Sequence, residues 1–122
     1  MEDPTPAETE QTKAVSPEQA REMLGSNEAS AIDIRGDEEW RSGHIPGARH
    51  RSEEEIDDAL ERIADGQTVI VACEDGDRSA RIAEKISEGG RKAASIEGGM
   101  EAWRSQDMPM QPSYDPDDES TI

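Results

Sequence analysis

The strongest constraint on the fold is one short apolar run, Thr68-Val69-Ile70-Val71-Ala72, in a chain of 122 residues. A continuous β-branched run of this length is typical of a central strand buried on both faces, and such strands belong to parallel sheets. Weaker strand signals at 14–15, 30–34 and 93–96 alternate with segments of helical spacing. This alternation predicts a three-layer α/β/α domain, with a parallel sheet between two layers of helices.

Capping patterns indicate where the helices begin. Residues 16–19 (SPEQ) and 52–55 (SEEE) each place Gln or Glu three residues after a serine, which is the capping-box pattern. Behind the central strand, we expect Ser79 to cap a helix. Gly98-Gly99 then leads into a last helix that contains Trp103, which we expect to anchor that helix in the core.

The chain is strongly acidic, with 30 acidic and 13 basic residues and a formal net charge of −17. Such a charge repels phosphate backbones and anionic lipid surfaces, so we expect neither nucleic-acid nor membrane partners. Lysine and aromatic residues are scarce, and Leu, Ile, Val and Phe together number only 15. We interpret this composition as adaptation to molar salt, where a Debye length of roughly 3 Å screens self-repulsion. The sequence therefore predicts a halophilic source.

The domain boundaries follow from composition. Residues 1–12 and 111–122 are rich in proline and acidic residues, and we expect them to be disordered acidic tails. Residues 13–110 then form one domain, which we expect to close at Pro109. No apolar run is long enough to span a bilayer, and the N-terminal segment lacks the apolar region of a signal peptide. We therefore expect a cytoplasmic location.

Cys73 is the only cysteine, and it directly follows the central strand. One cysteine forms no intrachain disulfide, CxxC redox pair or cysteine-cluster zinc site, and we expect neither a metal nor a cofactor. Ligand sites in parallel sheets lie beyond the carboxyl ends of the strands. A helix N-terminus also lowers the pKa of a nearby thiol, and a loop containing Gly76 can turn its N–H groups toward sulfur. By position alone, Cys73 is equally a small buried hydrophobe or a nucleophile.

Four ordered motifs distinguish these alternatives. They are Asp33-Ile34-Arg35, then 39–48 (EWRSGHIPGA), then 73–79 (CEDGDRS), and finally 98–103 (GGMEAW). Together they resemble the D-x-R, E-[aromatic]-x-x-G-H-I-P-G-A, C-x-x-G-x-R-S and G-G-x-x-A-W motifs of single-domain rhodaneses, which are sulfurtransferases. The resemblance covers roughly residues 14–109.

The resemblance implies a five-stranded parallel sheet with helices on both faces. It also implies that Cys73 takes sulfane sulfur from thiosulfate or a persulfide and holds it as its own persulfide. The acceptor would be cyanide, a thiol or a partner sulfur-carrier protein. The residues implied to surround the persulfide are Glu74, Asp75, Gly76, Asp77, Arg78 and Ser79. The supporting residues are Asp33, Arg35 and His44, with structural roles favoured for each, while His50 is expected to be incidental.

The sequence departs from the rhodanese pattern at two places. The loop carries Glu74, Asp75 and Asp77, where thiosulfate-using relatives often have basic or neutral residues, so a persulfide is as plausible a donor as thiosulfate. Residues 49–52 are polar, which predicts a short third strand at the sheet edge.

Two other functions remain open from the sequence. The first is a phosphatase or arsenate reductase on the same fold. The related phosphatases use C-x5-R, whereas Arg78 follows Cys73 after four residues. The second is a non-enzymatic sulfur carrier or regulatory binding module, although such modules have usually lost the cysteine.

Overall fold

The computed structural model describes residues 12–111, so the predicted tails, apart from residues 12 and 111, lie outside the described residues. Strands and helices alternate along the described chain. The strands are β1 (Thr12–Val15), β2 (Ala29–Asp33), β3 (Arg49–His50), β4 (Thr68–Ala72) and β5 (Ala93–Ile96). The helices are α1 (Pro17–Gly25), α2 (Asp37–Ser42), α3 (Ile56–Glu61, preceded by a 3-10 turn at Glu53–Glu55), α4 (Asp77–Glu88) and α5 (Gly99–Ser105).

The five strands form one parallel sheet in the order β1-β5-β4-β2-β3. The predicted central position of β4 is confirmed, since it lies between β5 and β2 and its last four residues are buried. The prediction for the third strand is also confirmed, because β3 has only two residues and lies at the sheet edge. This order brings the segments that follow β2 and β4 side by side at the carboxyl edge of the sheet.

Two apolar cores cover the two faces of the sheet, as the predicted three-layer arrangement requires. Alternate residues of β4 supply both cores, because successive side chains of a strand point to opposite faces. Val69 and Val71 pack with residues of α3 and α4, such as Ile56 and Ile82. Ile70 and Ala72 pack on the other face with residues of α1 and α5, including the buried Trp103.

The helix starts agree with the sequence patterns at two places and differ at a third. The capping boxes at Ser16 and Ser52 are both present, and Gln19 N–H donates to Ser16 Oγ at 3.0 Å. The prediction that Ser79 caps α4 is wrong, because the helix begins at Asp77 behind Gly76. Gly76 adopts the left-handed conformation (φ 95°), which only glycine reaches without strain, and it is the residue before the helix, so the helix starts three residues earlier than a Ser79 cap implies.

Backbone contacts continue past Pro109 to Gln111, the last residue that the structure describes. His44 and Gln111 exchange backbone hydrogen bonds of 2.9 and 2.7 Å, and Trp103 Nε1 donates to the Pro109 carbonyl at 2.7 Å. The His44–Gln111 contact joins distant parts of the chain, so a local composition pattern does not reveal it. Within residues 12–111, the longest helix is α4, with 12 residues, and no helix is long and apolar enough to cross a membrane.

Candidate active site

Cys73 is the first residue after β4, at the carboxyl edge of the sheet. It is buried, with 4 % of its surface exposed, and it packs in the core formed with α3 and α4. The segment 73–76 connects β4 directly to the N-terminus of α4. We call residues 73–79 the cysteine loop. The strand and the helix start fix the two ends of this loop, so the sulfur is held at a defined position.

Polar groups of the cysteine loop converge on the sulfur. The backbone N–H groups of Gly76 and Ser79 donate to Cys73 Sγ at 3.2 and 3.3 Å. The Ser79 hydroxyl lies 3.1 Å from Sγ and donates to the Gly76 carbonyl at 3.2 Å. N–H groups at a helix N-terminus carry positive partial charge, and two such groups are directed at the sulfur. The thiol can donate to the hydroxyl while neutral, and the hydroxyl can rotate to donate once the proton has left.

The N-terminus of α5 packs tightly against the cysteine loop. The N–H groups of Met100 and Glu101 donate to the carbonyls of Cys73 and Glu74 at 2.9 and 3.0 Å. A Cβ added at Gly99 would lie 2.5 Å from Gly76 N and 2.6 Å from the Cys73 carbonyl oxygen. The loop carbonyls thus point toward α5, whereas the Gly76 and Ser79 N–H groups point toward sulfur. This contact gives a physical reason for the glycine at position 99.

A buried ion pair holds the segment after β2 beside the cysteine loop. The Arg35 guanidinium donates to the Asp33 carboxylate through Nε at 3.1 Å and through Nη2 at 2.9 Å. Its Nη2 also donates to the Gly43 carbonyl at 2.6 Å. Its Nη1 reaches Glu74 Oε1 at 3.4 Å. Burial by itself would lower the pKa of Arg35, but the hydrogen bonds and charges of Asp33 and Glu74 raise it overall. Arg35 therefore stays cationic, and it links Asp33 at the end of β2, the Gly43 carbonyl after α2 and Glu74 of the cysteine loop.

Glu74 lies between two arginines. Besides Arg35, the Arg104 guanidinium of α5 donates through Nη2 to Glu74 Oε2. The Arg104 hydrogen bond is the main reason why the pKa of Glu74 is lowered, with burial opposing and Arg35 adding to the effect. From the sequence, Glu74 was expected to be one of three residues that make the cysteine loop acidic. In the structure its charge is balanced, and Arg104 is a residue that the sequence reasoning missed.

The other charged side chains of the cysteine loop have partners of their own, and Asp75 is also a hydrogen-bond acceptor for the thiol. Arg78 Nε lies 3.7 Å from Glu53 Oε1, and both side chains are half-exposed. Asp75 Oδ1 accepts from the Asp77 N–H at 2.9 Å and lies 4.0 Å from Cys73 Sγ. Arg78 is thus paired with the segment after β3, whereas Arg35 and Arg104 are paired with Glu74, the neighbour of Cys73.

Two histidines stack on Trp40 near the site. The Trp40 ring lies 3.4 Å from the His44 ring and 4.7 Å from the His50 ring, with nearly parallel planes. His44 is buried, and its Nδ1 lies 3.0 Å from the Trp40 carbonyl oxygen. His50 Nε2 donates to the Arg35 carbonyl at 2.7 Å. His50 was expected to be incidental, but it helps to position the segment that carries Arg35.

Comparison with known proteins identifies the family. The family model for the rhodanese-like domain matches residues 16–106. The chain belongs to the rhodanese-like domain family. Its sequence is 35 % identical over 94 residues to the thiosulfate sulfurtransferase GlpE of Ectopseudomonas mendocina, covering 76 % of this chain and 85 % of that protein.

Solved structures share the fold of this rhodanese-like domain. A rhodanese-related protein from Thermoplasma volcanium superposes with a TM-score of 0.72 at 21 % identity, covering 83 % of this chain and 99 % of that chain. A Rhodopseudomonas palustris protein of unknown function, described as a possible tyrosine phosphatase, gives 0.73 at 25 % identity, covering 82 % and 85 %. Both support the three-layer architecture with a five-stranded parallel sheet.

An open cleft of about 440 Å³ adjoins the cysteine loop of this rhodanese-like domain. The segments after β2 and β3 line it together with Arg78, and its lining includes Arg35, His50 and Arg51. A second cavity of about 500 Å³ lies between α3 and α4, and no residue of the cysteine loop lines it. Among residues 12–111, no three His, Cys, Asp or Glu side chains are grouped to hold a metal ion.

Proposed function

We propose that this rhodanese-like domain is a sulfurtransferase in which Cys73 carries sulfur as a persulfide. The observation that carries the proposal is the convergence of the Gly76 and Ser79 N–H groups on Cys73 Sγ. A thiolate is the nucleophilic form of cysteine, and N–H donors at a helix start favour it. The 35 % identity to a thiosulfate sulfurtransferase over most of both chains supports the same assignment.

The reaction we propose has two steps, each a displacement at sulfur. The Cys73 thiolate attacks the sulfane sulfur of the donor, so a new S–S bond forms to Sγ. The donor's own bond to that sulfur breaks, and its electron pair leaves with sulfite or with a thiolate. The acceptor then attacks the terminal sulfur of the persulfide, which gives thiocyanate from cyanide, or a new persulfide from a thiolate. The Cys73 thiolate is regenerated, and no external oxidant or reductant is consumed.

The cysteine loop and its surroundings have separate roles in this proposal. The Gly76 and Ser79 N–H groups and the Ser79 hydroxyl stabilise the anionic sulfur before and after transfer. Asp33 and Arg35 are positioning residues, since they tie the segment after β2 to Glu74 and do not touch Sγ. The open cleft is lined by Arg78 of the cysteine loop, whereas Cys73 itself does not line it. The donor is thiosulfate or another sulfane compound, and the acceptor is cyanide, a thiol or a sulfur-carrier protein.

Phosphate chemistry fits this geometry less well. A phosphatase loop of this fold closes an arginine over the phosphate, whereas Arg78 is directed to Glu53. The loop also has one residue fewer than C-x5-R between cysteine and arginine. The hydrogen-bond donors of the cysteine loop lie close around a single sulfur atom. A binding module without catalysis would not need N–H groups directed at a thiol.

Intact-mass spectrometry tests the proposal directly. Wild type and Cys73→Ser are incubated with thiosulfate and with a small organic persulfide in concentrated KCl, and excess donor is removed. We expect the mass of one added sulfur on wild type only, and its loss after cyanide is added, with thiocyanate formed. A chain that stays unmodified with both donors would contradict the enzyme and favour a binding module. Cys73-dependent hydrolysis of a phosphate ester would instead support a phosphatase.

A further inference from the structure

Two guanidinium groups from distant parts of the chain meet at one carboxylate beside the cysteine. Glu74 immediately follows Cys73, while Arg35 follows β2 and Arg104 lies in α5. The Glu74 and Arg104 side chains are 40 % and 43 % exposed, so this end of the cluster faces solvent. Arg35 is only 2 % exposed. The Glu74 carboxylate thus occupies a position where an external anion would otherwise find a cationic site.

The charges of this cluster balance. Arg35 and Arg104 contribute two positive charges, and Asp33 and Glu74 contribute two negative ones. Asp33 is fully engaged with Arg35 inside the protein, so Arg104 depends on Glu74 for its partner in this cluster. Without the Glu74 charge, the cluster would carry one net positive charge on a partly exposed guanidinium. A guanidinium fork matches the geometry of oxyanions and binds them with paired hydrogen bonds.

We propose that Glu74 determines donor specificity by holding Arg104 with an internal carboxylate. This inference rests on the proposed sulfurtransferase function. Thiosulfate is a dianion, and the sulfite that leaves after transfer is also a dianion, so a free Arg104 would favour both. With Arg104 occupied, an oxyanion donor gains no such contact. Relative to a site with a free Arg104, the wild-type site therefore favours sulfane donors without an oxyanion group, namely organic persulfides.

The test compares two donors on Glu74→Gln, which keeps the side-chain shape and removes its charge. The donors are thiosulfate and the persulfide of 2-mercaptoethanol, at the lowest KCl concentration that keeps the chain folded. We expect the ratio of kcat/KM for thiosulfate to kcat/KM for the persulfide to rise about fivefold, the upper range for one exposed charge pair. Adding Arg104→Gln to this variant should remove the gain. Glu84 is an exposed glutamate of α4. The control variant Glu84→Gln makes the same charge change away from the site and should leave the ratio unchanged.

A binding measurement separates this inference from the proposed function. Sulfate resembles thiosulfate but has no sulfur to transfer, and iodoacetamide is an uncharged reagent for the cysteine. Sulfate, at constant chloride, should protect Cys73 from alkylation at about fivefold lower concentration in Glu74→Gln than in wild type. Equal protection in both, or a gain that survives Arg104→Gln, would overturn the inference. Failure of both donors to place sulfur on wild-type Cys73 would overturn the proposed function, while the sulfate measurement would still decide the role of Glu74.

Discussion

Gly99→Ala tests how closely α5 supports the cysteine loop. Gly99 has φ 62°, a left-handed conformation that costs a residue with a Cβ about 1–2 kcal/mol. The added carbon would lie 2.5 Å from Gly76 N and 2.6 Å from the carbonyl oxygens of Cys73 and Glu74. These neighbours are backbone atoms, so relief requires the loop or the helix to move, and overpacking of this kind costs about 1–3 kcal/mol. Together we expect a loss of about 2–5 kcal/mol in the free energy of unfolding.

The same substitution should impair sulfur uptake more than stability alone explains. A displacement of about 1 Å at a reacting group can cost about 100-fold in rate, so we expect a loss of that order in variant protein that remains folded. Denaturant unfolding measures the loss of stability, and mass spectrometry measures the rate of sulfur addition to Cys73. Gly66→Ala is the matched control, since its Cβ would meet no atom within 4 Å. If Gly99→Ala kept the stability and the sulfur uptake of the wild type, the close contact between α5 and the loop would be refuted.

Three further predictions follow from the charged groups. Arg35→Leu leaves the buried Asp33 carboxylate without its partner and should lower the free energy of unfolding by about 3–5 kcal/mol in denaturant titrations; a loss below about 1 kcal/mol would contradict a buried pair. Because the folded-state pKa of Glu74 lies below its ordinary value of 4.5, its carboxylate stabilises the fold above pH 4.5, and this contribution is lost as the pH falls through the lowered pKa. The difference in unfolding free energy between wild type and Glu74→Gln should therefore shrink below pH 4.5, and a constant difference in urea titrations at pH 3 to 6 would contradict the Arg104 contact. With a net charge of −17, the chain should gain helical circular dichroism as KCl is raised to molar concentration, whereas a fully folded spectrum in dilute buffer would contradict the halophilic interpretation.

Local patterns predicted the framework well because their physical causes are local. The β-branched run at 68–72 coincides with β4, and the capping box at Ser16 forms as expected. Ser79 shows the limit of such patterns. Serine is a good N-cap, but Gly76 begins the helix earlier, and the Ser79 hydroxyl lies beside Cys73 Sγ. A cap pattern depends only on the residues at one helix end. The observed start of α4 also depends on the backbone conformation of Gly76 and on the contact between Ser79 and Cys73 Sγ.

The sequence also could not reveal how charges pair across the fold. The family resemblance implied that Arg78 surrounds the persulfide, yet its ion-pair partner in the fold is Glu53. Arg104, 30 residues beyond Glu74, is the arginine that balances the loop instead. Ion pairs depend on distances of a few ångströms between side chains of different elements. Sheet order and helix packing set those distances.

By itself, the sequence determined the alternation of strands and helices, the position of Cys73 after the central strand, and the family motifs. These properties follow from residue type and spacing along the chain. Only the tertiary structure decided which groups surround the sulfur and where each loop charge is neutralised. It brings the N–H groups of the α4 start to Sγ, places α5 against the loop at Gly99, and holds Glu74 between Arg35 and Arg104. Such contacts join segments far apart in sequence, so they exist only once the sheet has formed and both helical layers have packed on it.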